Sequence, residues 1–243
     1  MTDVKTFVEQ KRVLLLYYTF SSQTRNLLNS LAKGLNEGGV EVRFEPLKPL
    51  EPPPFPVGSY FGALRMMLAA FLMRPVAVAP PDKNCLLNWD LIICAGPTWS
   101  YHLSGPMVYF LQHYSAELLA GKLVLPLISC RTYWRLHAWE MDRYMVKSGA
   151  RVMPPLVFRH PCPGLWCAIG VFIKIAGKIP RGCRSLVQRH CPRYGHSPQQ
   201  IEEARDLGAR LAEVLREGRI DENSGIEEVL RKGSRQDSSN KVC

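Results

Sequence analysis

The sequence predicts an α/β domain built on a doubly wound, five-stranded parallel sheet of order 2-1-3-4-5, with two helical insertions. Three observations carry this expectation. Short apolar runs are separated by helical patterns, and strands that alternate with helices call for a parallel sheet. The run from Val13 to Tyr18 is unbroken rather than alternating, as expected of a strand covered on both faces. It stops abruptly in Thr19-Phe20-Ser21-Ser22-Gln23-Thr24, where a helical pattern begins at once.

Taken in order, Val13 to Tyr18 is the first strand, and Thr24 to Asn36 the first helix, with Leu27, Leu28, Leu31 and Leu35 on one face. Gly38-Gly39 ends that helix, and Val40 to Phe44 forms the second strand. Pro46 to Pro56 is too rich in proline for a helix or a sheet interior and reads as an extended connector. Tyr60 to Ala79 is apolar almost throughout, carrying Arg65 and Arg74 and no acid. Leu91 to Ala95 is the third strand, followed by a loop beginning Gly96-Pro97-Thr98-Trp99-Ser100-Tyr101. Pro106 to Tyr114 reads as a helix with proline in its first turn.

Leu123 to Ile128 is the fourth strand; the loop Ser129-Cys130-Arg131-Thr132-Tyr133-Trp134 and a helix from about Leu136 to Lys147 follow. Gly149 stops this helix, and Arg151 to Phe158 is the fifth strand. The closing helix waits until Ser197-Pro198-Gln199-Gln200, an N-cap, a first-turn proline and a capping-box glutamine, and runs to about Glu217. Residues 1–220 therefore read as one domain with insertions at about 46–84 and 159–196, and 221–243 as a polar, loosely ordered tail.

At 47% apolar content, a chain of 243 residues can bury a substantial core. The polar, mixed-charge start shows no signal peptide, and no apolar run reaches the roughly eighteen residues of a spanning helix. Eight cysteines without tight metal spacing imply reduced thiols, a cytoplasmic location and no metal site. The formal charge of +10 points to an anionic partner such as a membrane surface. Nucleic acid ranks last, because the cations lie among aliphatic rather than stacking residues and no nucleic-acid motif accompanies them.

In a doubly wound sheet, ligands bind outside the carboxyl ends of the strands, where the strand order reverses. Here that place is between strands one and three, reached by the loops Thr19–Thr24, Pro97–Ser104 and Ser129–Trp134. Small hydroxylated residues at a helix start suit a phosphate, through free amides and the positive end of the dipole. The same residues serve equally well as plain N-caps, and Trp99 and Tyr101 as loop-packing aromatics.

These motifs together resemble the flavodoxin-like family, which includes flavodoxins and quinone reductases. The stretch Tyr18-Thr-Phe-Ser-Ser-Gln-Thr24 is similar to its phosphate loop, hydroxyl-x-hydroxyl-Gly-x-Thr, with Ser22 at the glycine position. Gly96-Pro97-Thr98-Trp99, with Gly105-Pro106 and Phe110-Leu111, resembles its flavin-stacking loop, and Leu207-Gly-Ala-Arg-Leu-Ala212 its closing helix. The resemblance spans roughly 11–158 and 197–217, leaving both insertions outside. It implies FMN, with its phosphate in the loop Thr19, Phe20, Ser21, Ser22, Gln23 and Thr24. Pro97, Thr98, Trp99 and Tyr101 would flank the isoalloxazine, with Trp99 or Tyr101 stacking on it. Ser129, Cys130, Arg131, Thr132 and Tyr133 would close its other edge, although this loop lacks the paired glycines of the quinone reductases. His102 is the candidate proton donor near the ring.

The insertions combine apolar residues with interspersed cations and are too short to span, which fits interfacial membrane elements. Packing against each other and forming a homodimer interface are the alternatives. Cys162, Cys167, Cys183 and Cys191 match no iron–sulfur or zinc spacing, and His160, His190 and His196 read as basic surface histidines. Cys94 reads as core and Cys130 as able to touch the ring. The expected function is an FMN-dependent oxidoreductase passing electrons from NAD(P)H or another donor to a quinone-like or other apolar acceptor near a membrane. The alternatives are a flavodoxin-type electron carrier, disfavoured by the basic charge, and a membrane-peripheral binding protein without catalysis.

Overall fold

The computed structural model describes residues 10–131, 133–160, 170, 172, 173, 175–177 and 195–218. Its elements follow in the order β1 (Arg12–Tyr17), α1 (Gln23–Glu37), β2 (Glu41–Pro46), α2 (Tyr60–Phe71), β3 (Leu91–Trp99), β4 (His102–Leu103), α3 (Gly105–His113), α4 (Ser115–Leu119), β5 (Leu123–Cys130), α5 (Arg135–Lys147), β6 (Arg151–Val152), β7 (Leu156–Arg159) and α6 (Pro198–Arg216). Parallel strands run β2-β1-β3-β5, with β6 and β7 both on the outer edge of β5. This is the expected 2-1-3-4-5 order, the flavodoxin-like arrangement of a doubly wound sheet.

The fifth strand arrives in two pieces. Val124 pairs with Val152 but Leu127 with Leu156, so the outer strand carries one extra residue. Pro154 and Pro155 fall in that interval. Having no N–H to give the ladder, prolines are confined to edges and bulges, and here they break the pairing. β3 departs from expectation in the other direction. It runs on to Trp99 and folds back as β4, making a hairpin where the sequence suggested a loop.

Alternate residues of the central strands enter opposite apolar layers, as the strand period of two requires. Val13, Leu15, Ile93 and Leu125 pack under α1 and α6, whereas Leu14, Leu16, Ile92 and Cys94 pack under α3 and α5. On the first face, α1 and α6 touch backbone to backbone. A Cβ added at Gly34 would overlap the Arg205 carbonyl, and one at Gly208 the Leu31 carbonyl. α6 begins as the sequence predicts: Ser197 Oγ accepts from the Gln200 amide (3.2 Å), and Gln200 Oε1 accepts from the Ser197 amide (3.1 Å).

The first insertion contains α2 and a short turn of helix at Lys83–Leu86. It meets the second one, since the Val57 amide donates to the Ile175 carbonyl (2.8 Å) and Tyr60 stacks on Phe172. α2 presents its larger side chains outward. Phe61, Leu64, Leu68, Phe71 and Leu72 are exposed, whereas Ala63 is buried. Among the described residues no helix is long and apolar enough to cross a membrane. Thr132, Cys162, Cys167, Cys183, His190, Cys191 and the tail at 221–243 lie outside the described residues.

Candidate functional site

The first loop turns on Ser22, whose backbone is left-handed (φ 62°, ψ −1°) at the position where a glycine is conformationally cheapest. A non-glycine residue there costs roughly 1–2 kcal/mol, which the fold sustains for a Ser. Ser22 caps α1 with its carbonyl, which accepts from the Asn26 amide (2.9 Å); its own side chain makes no cap bond among the described residues, and the first turn has no acid. Thr19 Oγ1 is buried with no partner among the described residues. Thr24 is buried, and Ser21 is half-buried beside the exposed Ser22. Gln23 is engaged elsewhere, because its Oε1 accepts from the His196 amide (3.1 Å).

The second loop is a tight β3–β4 hairpin. Its two turn residues, Ser100 (φ 44°) and Tyr101 (φ 78°), both have positive φ. Two-residue hairpins favour such turns but usually fill them with Asn-Gly, so this pair stores strain. Three contacts hold it. Ser100 Oγ donates to the Met67 carbonyl of α2 (3.0 Å), the Leu103 amide donates to Glu140 Oε2 (3.2 Å), and Glu140 Oε1 lies 2.5 Å from His102 Nδ1. The turn leaves Tyr101 47% exposed, in contact with Tyr133 of the third loop, itself 64% exposed (centroids 5.0 Å). Trp99 is committed to packing instead. Tyr18 and Phe20 meet its face or edge at 5.7 and 5.3 Å, joining the first and second loops.

In the third loop, Ser129 Oγ lies 2.8 Å from His196 Nε2, and His196 stacks on His160 (4.2 Å). The sequence reading of these two as surface histidines is incorrect. Burial pushes His160 down to about 3, helped by neighbouring His196 and Arg131, and His196 down to about 4. The signal available was spacing: His196 directly precedes the Ser197 cap, which tucks it against the sheet end. Cys130 also differs from expectation, because strand alternation sends its buried side chain into the α3–α5 layer and not toward the loop mouth. Cys94 joins that core, as expected, and burial raises its thiol pKa.

Beneath the hairpin lies a polar group that sequence reading missed except for His102. His137 and Glu140 are buried on the inward face of α5, with His137 Nδ1 2.8 Å from Thr98 Oγ1. Burial and, second, His102 push His137 down to about 3. Ser104 Oγ and His137 Nε2 are buried with no partner among the described residues. Two polar residues at i and i+3 on an apolar helix face were the available signal. No three His, Cys, Asp or Glu residues gather into a metal-binding group among the described residues.

Three histidines held neutral below their unfolded value have a consequence for acid stability. The unfolded chain takes up protons from about pH 6.5 downward, while the folded histidines do so only near 3 to 4. Stability is thus expected to fall between about pH 6.5 and 4, by on the order of 1.4 kcal/mol per pH unit for each histidine. Urea midpoints measured across that range check this, and His160→Gln should flatten the slope.

No family model and no curated protein sequence matches the chain. Solved structures of similar fold include a flavodoxin from the domain Archaea, at 13% identity and TM-score 0.47, covering 84% of this chain and 98% of that one. Oxidised flavodoxin 1 from Bacillus cereus aligns at 13% identity and TM-score 0.46, over 82% and 95%. A flavoprotein from Lactobacillus acidophilus NCFM, solved in complex with FMN, aligns at 17% identity and TM-score 0.43, over 60% and 93%.

Proposed function

We propose that the chain binds FMN where its three loops converge and uses it for oxidoreduction, passing electrons to an apolar, quinone-like acceptor at a membrane surface. The observation that carries the cofactor reading is the first loop. It brings to the strand end next to the order reversal the left-handed Ser22, a start of α1 with no side-chain cap among the described residues and a Thr19 hydroxyl with no partner among them. Such amides and hydroxyls suit a phosphate dianion without a cage of charges. Thr19, Ser21, Ser22 and Thr24 would hold it, whereas the Gln23 side chain is already spent on His196.

Tyr101 and Tyr133 would hold the ring, with Pro97 and Thr98 along its edge. A ring inserted between two aromatic faces needs about 7 Å from face to face, so binding there parts two tyrosines whose centroids now lie 5.0 Å apart. Both are exposed enough to swing. The flavin supplies the redox chemistry when bound, and the chain supplies binding, orientation and the hydrogen bonds around it.

The acceptor reading rests on α2. Its outward apolar stripe carries exposed Arg65, and Arg74 follows shortly after its end, a pattern that favours the surface of an anionic bilayer. The helix also touches the hairpin, through Ser100 on Met67 and Phe71 edge-on to His102 at 5.6 Å. A bilayer-facing surface next to the ring loop suits a substrate dissolved in lipid. The test is to load the purified chain with FMN, then follow NAD(P)H-driven reduction of soluble and long-chain quinones with and without anionic vesicles. Turnover of long-chain quinone that requires vesicles is the expected result. A colourless protein that takes up no FMN overturns the cofactor reading, and bound FMN without quinone turnover in any condition makes the chain a carrier.

A further inference from the structure

We propose that His137 is a positioning residue that fixes the Thr98 hydroxyl as a hydrogen-bond donor to the ligand at the carboxyl end of β3. The role deepens the FMN reading above and rests on it. Its basis is a choice between tautomers that the surroundings decide.

His137 is fully buried, with Nδ1 2.8 Å from Thr98 Oγ1 and Nε2 without a partner among the described residues. With its proton on Nε2, the ring would bury an N–H that donates to nothing, and orphaned donors are rarer and costlier than orphaned lone pairs. With the proton on Nδ1, only a lone pair is left unmet, and the N–H donates to Thr98 Oγ1. The doubly protonated ring is disfavoured by burial and by His102 nearby. The Nδ1–H form is therefore the one this environment selects.

That selection constrains Thr98. Its oxygen accepts from His137, so its own O–H cannot point at the imidazole and turns elsewhere. Thr98 is half-buried, the second residue from the strand end and one position before Trp99. A hydroxyl donor fixed there matches an acceptor on a heteroaromatic ligand, such as a ring nitrogen or carbonyl oxygen of a flavin. Glu140 serves the hairpin and not the His137 ring. Its two oxygens are engaged by His102 Nδ1 and by the Leu103 amide, and neither lies on His137. α5 thus clamps the hairpin with Glu140 and aims the Thr98 hydroxyl with His137.

Two measurements test this. Long-range ¹⁵N–¹H spectra of the full chain without FMN report the His137 tautomer directly and need no variant. Protonated Nδ1 with unprotonated Nε2 is expected; the reverse overturns the proposal. Titration with FMN then compares Thr98→Val, His137→Leu and the double variant, with His137→Gln as the conservative change that keeps a donor. Each single loss should weaken binding about tenfold, the double variant no more than Thr98→Val alone, and His137→Gln should recover part of it. Additive losses overturn the coupling. Wild-type chain that takes up no FMN overturns the cofactor reading and the ligand-directed role of Thr98 with it, while the tautomer still stands or falls by its spectrum.

Discussion

Ser21→Glu is expected to weaken FMN binding by about three orders of magnitude and to leave the fold intact. Ser21 is half-buried beside the left-handed Ser22, just ahead of an α1 terminus that has no side-chain cap among the described residues and no acid in its first turn. A carboxylate placed there meets the amides that would serve the phosphate, and stabilises the helix by roughly 0.3–1 kcal/mol. Against a phosphate about 4 Å away it contributes on the order of 4 kcal/mol of repulsion per unit charge near a protein surface. That corresponds to a roughly thousandfold rise in Kd. Fluorescence-quenching titrations measure it, with riboflavin, which lacks the phosphate, as the control that should bind unchanged. Equal weakening of both ligands would place the phosphate elsewhere. Thr24 would be a poor site for the same experiment, because its side chain is buried and a charge there would destabilise the fold.

The largest effect on stability is expected from Gly34→Val. A side chain at this point of α1 would run into the Arg205 carbonyl and the Ala209 amide of α6. Neither helix can back away cheaply. The Arg205 guanidinium is held to Glu37 at 2.9 Å, and Leu31, Leu35, Leu211 and Leu215 fill the layer beneath. Overpacking of this kind costs about 1–3 kcal/mol, and more where backbone must move. We expect at least about 3 kcal/mol, read as a fall in the urea midpoint at constant slope. Gly208→Val strikes the same contact from the other side, so the pair should be less than additive. A midpoint unchanged by Gly34→Val would mean that the two helices do not pack this closely.

Much of the fold was legible because its signals are local. The unbroken apolar run at 13–16 made β1, and Ser197 with Gln200 made the start of α6 through bonds between residues three apart. The break in the outer strand was not read, because Arg151 to Phe158 scans as one strand although Pro154-Pro155 has no N–H to give the ladder. The hairpin was not legible. Ser100-Tyr101 offers none of the Asn-Gly chemistry that announces a turn with positive φ; the turn persists because Met67 and Glu140 hold it from other elements.

The sequence by itself determined the class of fold, the strand order and the three loops that meet at the order reversal. Periodicity, caps and breakers act over a few residues, so they can be read in one dimension. Only the tertiary structure decided which groups in those loops are engaged. It closed Trp99 against Tyr18 and Phe20, left Tyr101 outward, turned Gln23 to His196, and paired His137 with Thr98. Those choices depend on desolvation and on hydrogen-bond partners far apart in the chain, 39 residues for Thr98 with His137 and 67 for Ser129 with His196. A buried polar atom takes whatever partner the packed layers bring within reach, and no local pattern records which one that is.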